Sequence, residues 1–329
     1  MRRDYYDSRW QTVYVGGGTP STLSPSQLEL LFGAIDCSCS VETTIECNPD
    51  DVTDEFASLL RSLPVNRVSM GAQTFNDARL RFLRRRHSAG DVARAVERLR
   101  RVGIGNVSVD LMYGFPNETI DDLEYDIVHV LRLGVEHISA YCLMYEEGTP
   151  LYAMKEKGMV AEADEELTRA MYYRMKDRLA KAGYEHYEVS NFALPGRRSR
   201  HNSSYWTGVP YMGIGAAAHS YDGRNRQWNV DDLSLYINKV ENGEVPSTLE
   251  LLDDSERYND MVMLALRTRE GLDMSLLERR FGGKAKAYCL SSAQQSIASG
   301  LLCLDGQRLH LTREGLYVSD MVMSELMDV

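Results

Sequence analysis

Gly16-Gly17-Gly18-Thr19-Pro20 follows directly on the short run Val13-Tyr14-Val15. Three glycines past the C-terminal end of a buried strand leave backbone N–H groups open to a small polar ligand, with no Cβ in the way. Other candidates stand at comparable points downstream: Glu46, Ser69 with Gln73, Asp110 and Met144 each fall at or just after the end of a different β-branched or aromatic run. A second constellation, His201-Asn202-Ser203-Ser204-Tyr205-Trp206, joins an imidazole to two aromatic rings. A neutral imidazole can ligate heme iron, and the rings can cover a porphyrin face. The same histidine also suits a satisfied structural role. His219, in the glycine-rich stretch Gly213 to Ser220, offers either a second ligand or a packing residue, and packing is the simpler reading.

These residues need elements to place them. Runs at Val13 to Val15, Thr44 to Glu46, Arg67 to Met70, Val107 to Leu111, Ile138 to Tyr141 and Tyr187 to Ser190 alternate with amphipathic helical patterns, which predicts parallel strands joined by crossover helices. Helix starts are signalled by Ser24-Pro25-Ser26-Gln27, by Ser88 with Asp91 and by Thr119 with Asp122. Gly103, Gly134 and Gly183 sit where helices should end. A long charged helix is expected over about 162–182. Polar residues at the ends of several different strands favour a β/α barrel, whose C-terminal rim builds sites, over a doubly wound sheet, which concentrates them at one switch point. Gly213-Ile214-Gly215-Ala216-Ala217-Ala218 fits a dinucleotide fingerprint only superficially and reads as tight backbone packing. From about Leu251 the chain reads as a small, mainly helical, winged-helix-like domain with a hairpin turning at Asp305-Gly306. The expected divisions are 1–165 for the partial barrel, 166–245 for an extension carrying the histidine motif, and 246–329 for the C-terminal domain.

Composition bounds the function. With 329 residues, 43% of them hydrophobic, the chain can bury a large core, and a net charge of −11 argues against a nucleic-acid footprint. No apolar run approaches a membrane span, and the N-terminus carries no signal-peptide pattern, which makes the cytoplasm the expected location. Six cysteines, Cys37, Cys39, Cys47, Cys142, Cys289 and Cys303, are too sparse for a disulfide framework, and each is expected to be a small buried hydrophobe.

Taken in order, Gly16-Gly17-Gly18-Thr19-Pro20, Glu46-Cys47-Asn48-Pro49, Ser69-Met70-Gly71-Ala72-Gln73-Thr74-Phe75, Asp110-Leu111-Met112-Tyr113-Gly114-Phe115-Pro116 and His201-Asn202-Ser203-Ser204-Tyr205-Trp206 resemble the HemW heme chaperones. That family is related to the oxygen-independent coproporphyrinogen III oxidases within the radical S-adenosylmethionine superfamily. The resemblance runs over nearly the whole chain. It implies that Gly17, Gly18 and Thr19 receive the methionyl part of S-adenosylmethionine, that Glu46 faces its cationic or hydroxyl-bearing parts, and that Arg85 meets its carboxylate. Gln73 and Asp110 would reach it from neighbouring strands, and Met144 would contact it through backbone. His201 would be the heme-iron ligand, with Tyr205 and Trp206 beside it. One departure stands in Arg84-Arg85-Arg86, where the family usually has a glycine before the arginine.

A second departure is larger. The superfamily holds a [4Fe–4S] cluster by CxxxCxxC, and no such triplet occurs in this sequence. The resemblance implies a member that lacks its first strand and cluster loop and begins inside the following helix, leaving Val13 to Val15 as an unpaired sheet edge. The function implied is binding of heme and its transfer to heme proteins such as respiratory cytochromes, with peripheral membrane association. The alternatives are radical decarboxylation of coproporphyrinogen III and a cofactor-free domain that binds a small anion.

Overall fold

The computed structural model describes residues 9–328, so the expected start of the chain inside a helix lies outside the described residues. Residues 9–201 form one compact unit, and the chain from Asn202 onward belongs to a second. In the first unit β1 (Thr12–Val15), β2 (Glu42–Cys47), β3 (Arg67–Gln73), β4 (Val107–Tyr113) and β5 (His137–Cys142) lie side by side in parallel. Between them run α1 (Pro25–Gly33), α2 (Asp54–Ser62), α3 (Asp77–Phe82), α4 (Ala89–Arg101) and α5 (Ile120–Leu133). The capping boxes form as expected: Ser24 with Gln27, Ser88 with Asp91 and Thr119 with Asp122 each close reciprocally at the start of α1, α4 and α5. Gly134 ends α5 in the left-handed region, with φ +59°.

The sixth strand departs from expectation. The run expected as one parallel strand is an antiparallel hairpin, β6 (Glu185–Glu188) and β7 (Asn191–Ala193), and β7 pairs with β5 in the opposite sense. Val189 and Ser190 turn the chain before a crossover can form, and the Glu188 carboxylate holds that turn by accepting from the Ser190 N–H at 3.0 Å. The connection from β5 also carries two helices rather than one, α6 (Pro150–Glu156) and α7 (Glu165–Lys181). Thr149 caps α6 through Tyr152 N, with proline in its first turn. The result is a seven-stranded half-barrel of order β1-β2-β3-β4-β5-β7-β6, a partial β/α barrel in which β1 is an edge strand among the described residues.

Period-two alternation gives this sheet two chemically different faces. Val13, Ile45, Cys47, Val68, Met70, Ala72, Val107, Val109, Leu111 and Ile138 are buried and apolar, and they form the face that the crossover helices cover. The intervening positions read Thr12, Tyr14, Glu42, Thr44, Glu46, Arg67, Ser69, Ser108, Asp110, His137 and Ser139. Lateral pairing places Glu46 beside Ser69, Ser69 beside Ser108, and Asp110 beside Ser139 and Gly71, so one whole face of the half-barrel is polar. Within it His137 is satisfied internally, bridging Ser108 Oγ and Tyr187 Oη, both at 2.7 Å.

The second unit begins along α8 (Arg200–Trp206) and contains two small antiparallel sheets. The first is β8 (His219–Tyr221), β9 (Arg226–Asn229) and β10 (Ser247–Glu250), with α9 (Leu233–Glu241) between the last two strands. Then come α10 (Asp254–Leu266), β11 (Leu272–Asp273), α11 (Met274–Ser292, broken at Gly282), α12 (Gln294–Ala298), β12 (Leu302–Asp305), β13 (Arg308–Leu311), α13 (Arg313–Tyr317) and α14 (Ser319–Glu325). The β12–β13 hairpin turns at Gly306, β11 adds to it, and Tyr258, Val262, Leu266, Leu277, Leu309 and Val322 share one core. This is the mainly helical, winged-helix-like shape that the sequence predicts.

Two smaller expectations resolve differently. Gly213 is a packing glycine: a Cβ there would lie 2.2 Å from His219 O. The cysteines are free, but only Cys47 and Cys289 are buried; Cys39 and Cys303 are exposed, one in the turn before β2 and the other on the outward side of the β12 strand. Among the described residues no helix is long and apolar enough to cross a membrane.

Candidate functional site

The glycine corner follows β1 and separates into two parts. A Cβ on Gly16 would fall 2.6 Å from Tyr14 Cε1 and 3.0 Å from Glu46 Cδ, so this glycine makes room for two side chains of its own protein. Gly17 and Gly18 instead have φ of +79° and +68° with nothing within 4 Å of a notional Cβ, and their backbone borders open space. Glu46, one residue from the end of β2, bridges the corner: Oε1 accepts from Tyr14 Oη at 2.7 Å and Oε2 from Gly17 N at 3.3 Å. Thr19 stands at the first turn of the short helix Pro20–Thr22, where its carbonyl accepts from Thr22 N.

A second cluster lies at the end of β3. The strand is bulged between Gly71 and Gln73, and Gln73 takes φ +66°, a strained value for a side chain of that kind. Arg85 Nη2 donates to Gly71 O at 3.4 Å, and both Arg85 and Gln73 occupy the space a Cβ on Gly71 would need. Arg84, immediately before Arg85, adopts a left-handed φ of +56°. Burial lowers the Arg85 pKa while Asp110 and Asp50 oppose it.

Asp110 ties the two clusters together. It sits within β4 rather than at its end, because β4 continues to Tyr113 by pairing with β5. Burial pushes its pKa up to about 6; Ser139 and Arg67 act against that shift, and Glu46 adds to it. Gly17 and Gly18 after β1, Glu46 on β2, Gln73 on β3 and Asp110 on β4 therefore follow one another along the polar side of the sheet, and Arg85 reaches Gly71 from the loop after α3. A rim with exposed glycine backbone, two carboxylates and a guanidinium fits a zwitterion that also bears hydroxyls, which is the chemistry of S-adenosylmethionine. Met144 lies two residues past β5 and is exposed.

His201 belongs to the same unit and sits on the same polar face. Its Nδ1 lies 2.9 Å from Thr12 Oγ1, and its ring stacks on Tyr14 with centroids 5.0 Å apart. The buried Glu42 carboxylate holds the start of α8, accepting from Arg200 N and His201 N, both at 2.9 Å, and from Ser199 Oγ at 3.4 Å. A carboxylate on the first N–H groups of a helix satisfies donors that would otherwise be orphaned. Burial lowers the His201 pKa, with Glu42 opposing and Arg67 reinforcing, which favours the neutral ring, the form that ligates a metal. Tyr205 and Trp206, further along α8, fall in the second unit. There Tyr205 meets Tyr211 edge-on at 4.7 Å, and the Arg267 guanidinium lies 4.8 Å from the Trp206 ring centre. His219 starts β8 beside Trp228.

Sequence reasoning missed Thr12, Tyr14 and Glu42. Their signal was present: Thr12 and Tyr14, like Glu42 and Glu46, are spaced by even numbers along their strands and so share a face. For a [4Fe–4S] cluster the residues do not fit. Among the described residues no three His, Cys, Asp or Glu side chains gather to hold a metal ion, and Cys37, Cys39, Cys47 and Cys142 are not arranged as cluster ligands.

The chain resembles known proteins in both units. The Radical SAM superfamily profile matches residues 3–129, and that of the HemN C-terminal domain matches residues 252–318. Heme chaperone HemW of Lactococcus lactis is 36% identical over 96% of this chain and 84% of that protein. Heme chaperone HemW of Bacillus subtilis is 34% identical over 93% of this chain and 82% of that protein. The mitochondrial radical S-adenosyl methionine domain-containing protein 1 of Bos taurus is 32% identical, covering 97% and 76%. Among solved structures, the coproporphyrinogen III oxidase of Escherichia coli, a radical SAM enzyme, superposes with a TM-score of 0.83 at 20% identity, covering 96% of this chain and 77% of that one. At that identity the likeness is one of fold.

Proposed function

This chain belongs to the HemW family of heme chaperones, and on that premise we propose how its own residues serve the binding and transfer of heme. His201 ligates the heme iron through Nε2 while Thr12 steadies Nδ1, the arrangement by which the second ring nitrogen fixes a ligating imidazole. Tyr205 and Trp206, on the same helix, are the aromatic partners the motif supplies for the porphyrin. The observation that carries this reading is the seat of His201: an imidazole fixed by Thr12, by the Tyr14 ring and by Glu42 beneath its backbone.

The glycine rim is the place for S-adenosylmethionine. Gly17 and Gly18 offer backbone to the methionyl group, the Thr19 hydroxyl adds a polar contact, Glu46 and Asp110 face its ammonium and hydroxyls, Arg85 meets its carboxylate, Gln73 reaches in from the bulge, and Met144 contributes backbone. When bound, that cofactor supplies a sulfonium nucleotide whose binding assists heme transfer in this family. The residues present supply no site for a [4Fe–4S] cluster. The acceptors are heme proteins such as respiratory cytochromes, met from the cytoplasm by peripheral contact with the membrane.

Titrating hemin into wild type and His201→Ala and following the bound-heme absorbance tests the assignment. Wild type develops a saturable band, and the variant loses it with its melting temperature kept within a few degrees. An unchanged band in the variant overturns it.

A further inference from the structure

Tyr14 touches both functional groups of the polar face. Its hydroxyl donates to Glu46 Oε1 at 2.7 Å, while its ring lies against the His201 imidazole at an interplanar angle of 23°. The other Glu46 oxygen receives Gly17 N–H, so one carboxylate is shared between the rim backbone and this phenol. Burial, followed by the Glu46 charge, raises the Tyr14 pKa far above its ordinary value, which keeps the hydroxyl a donor at any physiological pH. Gly16 exists in this arrangement for Tyr14 rather than for a ligand, since a Cβ there would collide with the phenol ring. Thr12, two residues earlier on β1, meets the same imidazole at Nδ1, so two side chains of one strand hold the ring.

The geometry points to Tyr14 as a positioning residue that links the state of Glu46 at the glycine rim to the seat of the His201 ring. A rim ligand whose ammonium or hydroxyl draws on Glu46 competes with the phenol for the same carboxylate. The phenol then loses its anchor, and the imidazole stacked on it shifts. In this arrangement the rim and the heme ligand communicate through one side chain, without movement of the sheet. The inference rests on the reading of His201 as the heme ligand.

The test is a double-mutant cycle read by hemin titration of wild type, Glu46→Ala, Tyr14→Phe and the double variant, with His201→Ala alongside. Glu46→Ala weakens hemin binding roughly three- to tenfold, and Tyr14→Phe does so to a similar extent and shifts the bound-heme absorbance maximum. In the Tyr14→Phe background, which keeps the ring and the fold, Glu46→Ala has no further effect. The inference is overturned if Glu46→Ala leaves hemin affinity within about twofold of wild type, or if its effect is undiminished without the phenol. Hemin affinity unchanged in His201→Ala overturns the ligand assignment itself, a result that the cycle alone does not produce.

Discussion

The two ends of β1 make opposite kinds of site. At its C-terminal end the rim is assembled from backbone and from side chains that neighbouring strands present in sequence order, Glu46 on β2, Gln73 on β3 and Asp110 on β4. At its N-terminal end the seat is built for one imported group, His201, and the side chains that receive it, Thr12 and Glu42, are laterally paired in adjacent strands. At the rim the Gly17 and Gly18 backbone borders open space. A seat made of a buried carboxylate and helix N–H groups has one geometry and loses it whole when a member is removed. The difference locates rigidity beneath the histidine and adaptability at the glycines.

Removing the carboxylate under α8 should break the seat. Glu42→Ala leaves two backbone N–H groups and a serine hydroxyl without their buried acceptor, which costs about 3 kcal/mol of stability by urea unfolding. Hemin affinity falls with it. A loss below about 1 kcal/mol would mean that water replaces the carboxylate, and the seat is not rigid.

The rim makes a different prediction, in pH. The native Asp110 pKa is raised to about 6, so the folded protein holds this proton more tightly than the unfolded chain, where the group titrates at about 3.9. Ionised Asp110 therefore destabilises the fold above pH 6, and stability is regained as pH falls through 6. Asp110→Asn should raise the melting temperature at pH 8, with the gain fading below pH 6. A gain that is the same at pH 5 and pH 8 would show that the carboxylate is not strained. The smallest effect is expected beside it. Arg84 at φ +56° carries backbone strain that glycine avoids, so Arg84→Gly should stabilise by about 1 kcal/mol or less in the same unfolding assay. A destabilisation would indicate that the Arg84 side chain contributes more than its backbone costs.

The contrast between the two ends also explains what the sequence could reveal. The rim was legible because a glycine cluster or a lone charge at the end of a β-branched run stands out against its apolar neighbours, and Glu46, Gln73, Arg85 and Asp110 do converge on one face. Asp110 showed that a strand can run on past such a residue when a partner strand continues to pair with it. The seat was not legible, because Glu42 reads as an ordinary polar residue opening a strand, and its partner lies on a helix start far along the chain. Nor does alternation of strands and helices distinguish a crossover from a hairpin; the two residues between Glu188 and Asn191 decide that β7 runs against β5. The buried-hydrophobe expectation failed for Cys39 and Cys303 because turns and outward strand positions expose small residues regardless of their polarity.

The claim on which the account rests is that the imidazole seated on Thr12 and Tyr14 is the one that binds heme iron. Chemical rescue reads it directly: hemin titration of His201→Gly with and without added imidazole. Loss of the bound-heme band and its return with free imidazole is the predicted result, and a wild-type band in the variant without imidazole would contradict it.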